Sequence, residues 1–416
     1  MDLIALANQS SPDVASARAR IRIADAALAG AQAEYRPRFI VSENYGVTDN
    51  PVQAFSYQLN QAQLSFAQDF NDPATIDDFH TQLRLQQGIY TGGLRAEDEA
   101  AAAFGRTATC QDLRALRNQL AFRVARAYYR LLQARDLTIV RTEAVEQVES
   151  HLEVVQTRVR AETAVESDEL SVLVRLAEAK EALIRAKNDS ELAWALINNV
   201  VGMQVERSPL PTVIPSTPWA EDVDELQIAI AEAVGARPEV FSLGSRQSAA
   251  AAKIRAARAG KRSKVDFIGD YDVHTSDFSN GNDSFFFGVL ASLALFDGGR
   301  TDSAVAQAAG RLRELRAQCR RLTLDIELDV RRAWLELNSA EERLEVTDKA
   351  VRQAEESLRM VEVQYRGGAA TITRLIDAQV ALSNARVRRT NAQADIEIAR
   401  TDLARAMGRL TQVVSP

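Results

Sequence analysis

The residues that could do bond-making chemistry are few and scattered. The chain has three histidines, His80, His151 and His274, and two cysteines, Cys110 and Cys319. None of them stands at a metal-ligand spacing: there is no CxxC and no HxxxH. No Ser/His/Asp-like grouping, His–carboxylate cluster or phosphate-cradling glycine loop occurs, so neither an enzyme nor a bound metal or cofactor is expected. What the sequence does carry is charge placed by period. In "VDFIGDYDVH", Asp266, Asp270 and Asp272 fall on one face of a two-residue repeat, while Val265, Phe267, Gly269, Tyr271 and Val273 fall on the other. That pattern serves to line a polar surface, not to transfer a proton.

These aspartates lie on one of four strand-like runs. Copies of the same plan contain them. Pro12 and Tyr45 match Pro238 and Tyr271 at a shift of 226. Gly92, Gly93, Tyr128, Arg160 and Gly202 match Gly298, Gly299, Trp334, Arg366 and Gly408 at a shift of 206. Residues 1–203 and 226–409 therefore read as two structural repeats, joined by a proline-rich extended linker over 204–225 and followed by a tail over 410–416. The first repeat carries a longer loop around "NPVQAFSYQLNQAQLSFAQDFNDPATI".

Each repeat predicts helix, strand, loop, strand, long helix, turn and return helix. Strands are expected at about 37–48 and 79–91, then at about 264–274 and 284–296. In the last of these, "FFFGVLASLALF" is apolar on one face and only weakly polar on the other. Long helices are expected at about 95–160 and 301–366, each roughly 100 Å at ~1.5 Å per residue. Return helices follow at about 168–201 and 373–407. A single Ala-rich helix, 231–259, is expected ahead of the strands of the second repeat. Helices of that length must pack along neighbours as a coiled coil or helical barrel. Between strand and long helix, "YTGGLR" and "LFDGGRTD" place paired glycines where the backbone must change direction. At the far helix ends stand "VRAETAVESDEL", without glycine, and "YRGGAATIT", with Gly367 and Gly368 as helix stops.

The net charge of −7 does not support a nucleic-acid partner. No run of 18 apolar residues is present, and the chain opens directly on a helical pattern, so the sequence itself leaves open a cytosolic protein or a removed leader. The strands are long enough to cross a bilayer as tilted strands, yet four of them cannot do so as an open sheet. Two readings follow. One is a membrane channel assembled from several chains. The alternative is a soluble or peripheral coiled-coil structural protein without channel activity.

The stretches "LFDGGRTDSAVAQA", "AWLELNSAEERLEVTDKAVRQAEESLRMVEVQYRGGAATITRLIDAQVALSNAR", "SSPDV", "YRPRFIVS" and "YTGGLR" resemble the TolC-like outer membrane efflux proteins. The resemblance covers nearly the whole chain. It implies a mainly α fold with membrane β: a long-helix α-barrel plus four strands per chain, contributed to a twelve-stranded outer membrane barrel in a homotrimer. It further implies export across periplasm and outer membrane with a periplasmic adaptor and an inner-membrane pump, in contact with outer membrane lipid. It implies additional residues ahead of "LIALANQSSPDV" as well. At the periplasmic end it implies a pore constriction at Asp377, with Arg374 where a second aspartate is expected. A latch is implied between Tyr365 and Asp168, with Arg366 or Arg374 standing in for an arginine link whose place is taken by Ala370. Helix-end packing for Tyr365, a helix-dipole charge for Asp168 and a solvated face for Asp377 are the alternatives. Adaptor docking is expected at the tips Gly367, Gly368, Ala369, Ala161, Glu162 and Thr163. Asp266, Asp270, Asp272 and Arg84 are expected to line the barrel lumen, and Gly92, Gly93, Gly298 and Gly299 to form the strand-to-helix turns.

Overall fold

The structure is a computed structural model that describes residues 2–67, 69, 71–207, 210–211, 213–217, 225–277 and 281–411. Parts of the loops, the linker and the tail named above lie outside the described residues. The element order is α1 (Asp2–Ser10), α2 (Pro12–Ala33), β1 (Arg38–Thr48), α3 (Pro51–Asn60), β2 (Ile76–Tyr90), α4 (Leu94–Arg160), α5 (Glu166–Val201), α6 (Leu226–Ala236), α7 (Pro238–Arg258), β3 (Lys264–Thr275), β4 (Asn282–Ser292), α8 (Arg300–Arg366) and α9 (Ile372–Ala406). The chain divides into two compact units. One comprises Met1–Arg20, Cys110–Ser242 and Cys319–Pro416; the other comprises Ile21–Thr109 and Leu243–Gln318.

The second unit contains one antiparallel four-stranded sheet, ordered β1-β2-β3-β4. Its register aligns the side-chain periods of all four strands. Val41, Leu83, Tyr271 and Phe285 form one continuous row, and Phe39, Leu85, Gly269 and Phe287 the next. This apolar face is exposed: Val41 and Phe285 each keep more than two-thirds of their surface. Gly269 makes room for an aromatic ring, because a Cβ there would lie 2.8 Å from Phe287. The opposite face carries the polar rows Ser42, Gln82, Asp272, Ser284 and Asn44, His80, His274, Asn282.

Several details differ from the sequence expectation. First, β4 stops at Ser292 rather than 296. Ser292 pairs with Lys264, the first residue of β3, so Leu293–Phe296 have no strand left to bond. Second, β2 starts at Ile76, three residues early, because Gly46–Thr48 of β1 are there to pair with it. The long loop of the first repeat also contains α3. Its start is written in "NPVQ": the Asn50 side chain accepts from the amides of Val52 and Gln53, and Pro51 occupies the first helical turn. Third, the expected single helix over 231–259 is two helices, α6 and α7, broken at Arg237. The residue before a proline is driven out of the α region, and Arg237 is extended (φ −69°, ψ 127°).

The first unit is helical. α4 and α8 each run 67 residues. Val145, Val148 and Val155 of α4, Val172 and Leu176 of α5, Val351, Leu358 and Val361 of α8, and Leu375, Ile376 and Leu382 of α9 share one core. Their spacings, mostly of three, four and seven, are those of an amphipathic helix face. Among the described residues of the linker, Leu210 and Ile214 pack on Ala125, Tyr129 and Leu132 of α4. The buried Thr217 amide donates to Glu397 of α9 at 2.6 Å. Burial, with the nearby Glu397 charge, pushes the Tyr129 phenol up to about 12.

Where α6, α8 and α9 meet, Asp329 accepts from Arg237 at 2.8 Å and from Arg405 at 2.8 and 3.0 Å. Both guanidiniums are about nine-tenths buried. Burial alone would raise the Asp329 carboxyl, but Arg405 and Arg237 outweigh it and hold it below the usual carboxylate range. Asp329→Asn is expected to cost about 2–3 kcal/mol in chemical denaturation, since two buried cations lose their shared partner. The folded-state carboxyl is depressed, so this contribution is present above the unfolded value, near pH 4, and is lost as pH falls through the folded value. The variant should therefore show a flatter acid-side stability profile than the parent protein.

Candidate functional site

The turns at the helix tips have the same backbone in both hairpins, although their sequences differ. After α8, the Gly367 amide donates to Val363 O, Gly368 to Tyr365 O and Ala369 to Gln364 O. After α4, Ala161 donates to Thr157 O, Glu162 to Val159 O and Thr163 to Arg158 O. Both are Schellman turns with a left-handed residue: Gly368 at φ 76° and Glu162 at φ 58°. Glutamate thus occupies a position that glycine fills at no steric cost. The missing glycine in "VRAETAVESDEL" hides the turn from sequence inspection without abolishing it. α9 is capped by Thr371, whose side chain accepts from the Arg374 amide. α5 has no side-chain cap and instead carries Glu166, Asp168 and Glu169 in its first turn, where the helix dipole favours them.

The structure does not bring together every residue expected to act as a pair. No hydrogen bond links Tyr365 to Asp168 among the described residues. Tyr365 is nearly buried in the helical core, and what covers its ring is Arg158 of α4, with Cζ 4.4 Å from the ring centroid. Arg366 is exposed and only loosely approaches Glu362, at 4.0 Å. Arg374 is exposed, and Asp377 approaches Arg175 of α5 at 3.9 Å rather than Arg374. Sequence reasoning missed Arg158 and Arg175 because neither carries a signal beyond helical spacing. It also missed Gln379, buried between apolar neighbours of α9: Gln147 accepts from its amide nitrogen, and its carbonyl oxygen meets His151 Nε2 at 2.5 Å.

On the polar face of the sheet, Arg84 donates to Asp270 at 2.7 Å, and Gln82 donates to Asp272 at 2.8 Å. His80 Nε2 lies 2.7 Å from Asp272, and His274 Nδ1 lies 2.8 Å from Asp78. The two imidazoles stack at 4.1 Å. Asp266 stands opposite Gly88 on the same face. Within the acidic row, Asp270 is thus matched by Arg84, and Asp272 by His80 and Gln82. Residues 80 and 274 stand at no sequence spacing that links them, and only the strand register brings them face to face.

The strand-to-helix turns are built alike. Gly92 and Gly93 lie at φ 66° and 90°, Gly298 and Gly299 at φ 64° and 84°. Gly92 is needed twice over, because a Cβ would also meet Arg262 Cβ at 2.7 Å. Thr91 and Asp297 occupy equivalent places: Leu94 N donates to Thr91 O, and Arg300 N to Asp297 O. The Asp297 carboxylate also accepts from the amides of Thr301 and Gly299, and hydrogen bonds from Thr301 hold it below the usual range. Cys110 and Cys319 are both free. Among the described residues no cluster fit for a metal occurs, and no helix is long and apolar enough to cross a membrane.

An exposed apolar sheet face is thus joined by glycine turns to two helices of 67 residues each. The family model for outer membrane efflux proteins matches residues 3–203 and 229–409. The chain belongs to the outer membrane efflux protein family. It is an outer membrane efflux channel and not an enzyme. Among its relatives, the outer membrane efflux protein BepC of Brucella suis is 21% identical, over 95% of this chain and 82% of that protein. The pyoverdine export outer membrane protein OpmQ of Pseudomonas putida is 24% identical, over 100% of this chain and 86% of that protein. The fold is shared with the outer membrane protein VceC of Vibrio cholerae, at TM-score 0.80 and 20% identity, covering 98% of this chain and 95% of that one. It is also shared with a Pseudomonas aeruginosa membrane protein, at TM-score 0.84 and 19% identity, covering 98% and 92%.

The two tip turns make opposite predictions. Gly368→Ala places a Cβ at positive φ and is expected to cost about 1 kcal/mol of local stability. Glu162→Gly relieves the same strain. Amide hydrogen exchange at Ala369 should accelerate in the first variant, and exchange at Thr163 should slow in the second.

Proposed function

We propose that three copies of this chain close their sheets into one barrel in the outer membrane and extend their long helices as an α-barrel through the periplasm, giving a continuous export duct. The observation that carries this reading is the pair of open edges. β1 and β4 each have one unpaired side, in a sheet whose apolar face is exposed. Lipid offers nothing to bond those edges, so they must meet edges of other copies. Three copies supply about twelve strands, within the range of known barrels.

In this reading Asp377 and Arg374 ring the periplasmic constriction. A ring of alternating sign selects cations less than an all-acidic ring does. Tyr365, Asp168 and Arg366 belong to the latch region that holds the tips closed. The tips Ala161, Glu162, Thr163, Gly367, Gly368 and Ala369 receive a periplasmic adaptor, which links the duct to an inner-membrane transporter. Asp266, Asp270, Asp272 and Arg84 face the lumen of the barrel. Small side chains at Gly367–Ala369 let another helix tip approach closely.

The purified full chain should require detergent, give mixed α and β circular dichroism, and conduct ions in a planar bilayer. A chain that stays soluble without detergent and does not conduct would instead be a coiled-coil spacer. Gly368→Trp should abolish export in cells while leaving oligomer assembly intact; loss of assembly would remove the tip from a docking role.

A further inference from the structure

The tip region holds one cation in an unusual setting. Arg158 lies in the last turn of α4 and is half-buried. Its guanidinium has no carboxylate partner among the described residues, in a helical unit where many arginines have one. It sits over the face of Tyr365, with Cζ 4.4 Å from the ring centroid. Tyr365 is the penultimate residue of α8, is 8% exposed, and packs with Val155, Leu358, Val361 and Ile372 in the helical core. Its hydroxyl has no hydrogen bond among the described residues. The ring face, not the hydroxyl, is therefore the part of Tyr365 that reaches the other hairpin.

An arginine over an aromatic face is held by the ring quadrupole, and the attraction grows where water is partly excluded. Here the two partners come from different hairpins, α4–α5 and α8–α9. Beside them lies a cleft of about 360 Å³ lined by His151, Arg158, Tyr365, Leu375 and Gln379. Space on one side means that the Arg158 side chain can leave the ring without disturbing the core beneath it. The backbone around Arg158 is firmly set, since its carbonyl accepts from both the amide and the hydroxyl of Thr163. The contact thus joins a fixed turn to a fixed ring through one movable side chain.

We infer that the clasp holding the two helical hairpins together at the periplasmic tip is the cation–π contact between Arg158 and Tyr365, rather than a hydrogen bond from the Tyr365 hydroxyl. This rests on the proposed reading of the tips as a gate, and names the interaction that regulates it. The clasp opens when Arg158 swings off the ring into the cleft. It needs a flat ring and a cation, and it needs no hydroxyl.

Single-channel conductance of the full-length protein in planar bilayers tests this directly. Arg158→Ala and Tyr365→Leu should each raise the ratio of open to closed time about ten-fold, the scale of a partly desolvated cation–π pair. Arg158→Lys and Tyr365→Phe should stay close to the parent, because both keep a cation over a ring. These conservative variants also guard against a folding defect. If Tyr365→Phe opens the channel as far as Tyr365→Leu, the hydroxyl is the working group and the inference is overturned. If Arg158→Ala leaves gating unchanged while Asp168→Ala opens the channel, the gate reading stands and the clasp lies elsewhere. If Arg158→Ala, Tyr365→Leu and Asp168→Ala all leave conductance unchanged, the gate reading itself fails and the clasp with it.

Discussion

The constraint on which the rest depends is the unpaired edge of a small sheet. A backbone amide or carbonyl in hydrocarbon has no water to turn to, so a spanning sheet must have no free edge. This chain offers four strands with β1 and β4 at the margins. Two apolar rows run from β1 to β4, Val41–Leu83–Tyr271–Phe285 and Phe39–Leu85–Gly269–Phe287, while the next row on the same face carries Glu43 on β1 and Asp283 on β4. The proposed closure between copies would also account for the helices. A 67-residue helix has no globular core large enough to cover it, whereas a ring of such helices covers each with its neighbours.

The two ends of each long helix solve a related problem by the same device. At one end a strand must become a helix, and at the other a helix must reverse. Both transitions use left-handed backbone: paired glycines after β2 and β4, and Gly368 or Glu162 after α8 and α4. The hydrogen-bond patterns match between the two hairpins even where side chains do not. Thr91 and Asp297 perform equivalent capping with different groups. Backbone geometry is the common element, and the side chains adapt to it.

Most of the fold was legible because its signals are periodic and long. Alternation in "VDFIGDYDVH" and the three–four–seven spacing along α8 leave little ambiguity over many residues. The short departures were not. The break at Arg237 was available in Pro238, and α3 was available in Asn50-Pro51, but both were masked by the alanine-rich and loop-like contexts around them. The site was less legible than the fold. Gly367 and Gly368 announce a turn; Glu162 does not, since only the tertiary setting holds a glutamate at positive φ. The polar face depends on register, which pairs Arg84 with Asp270 and His80 with His274 across nearly two hundred residues of chain. At the tip, a tyrosine and an aspartate could be matched by position, yet the group over the Tyr365 ring is Arg158, which comes from another helix.

The most direct measurement is covalent capture of the closing edge. With Cys110 and Cys319 replaced by serine, one cysteine would be set in β1 at Asn44 and one in β4 at Ser284, and the membrane-embedded protein treated with a short bifunctional thiol reagent. Closure between three copies predicts a ladder ending at a covalent trimer, with β1 of one copy joined to β4 of the next. A product that remains monomeric, or that ends at a dimer, would contradict the barrel on which this account stands.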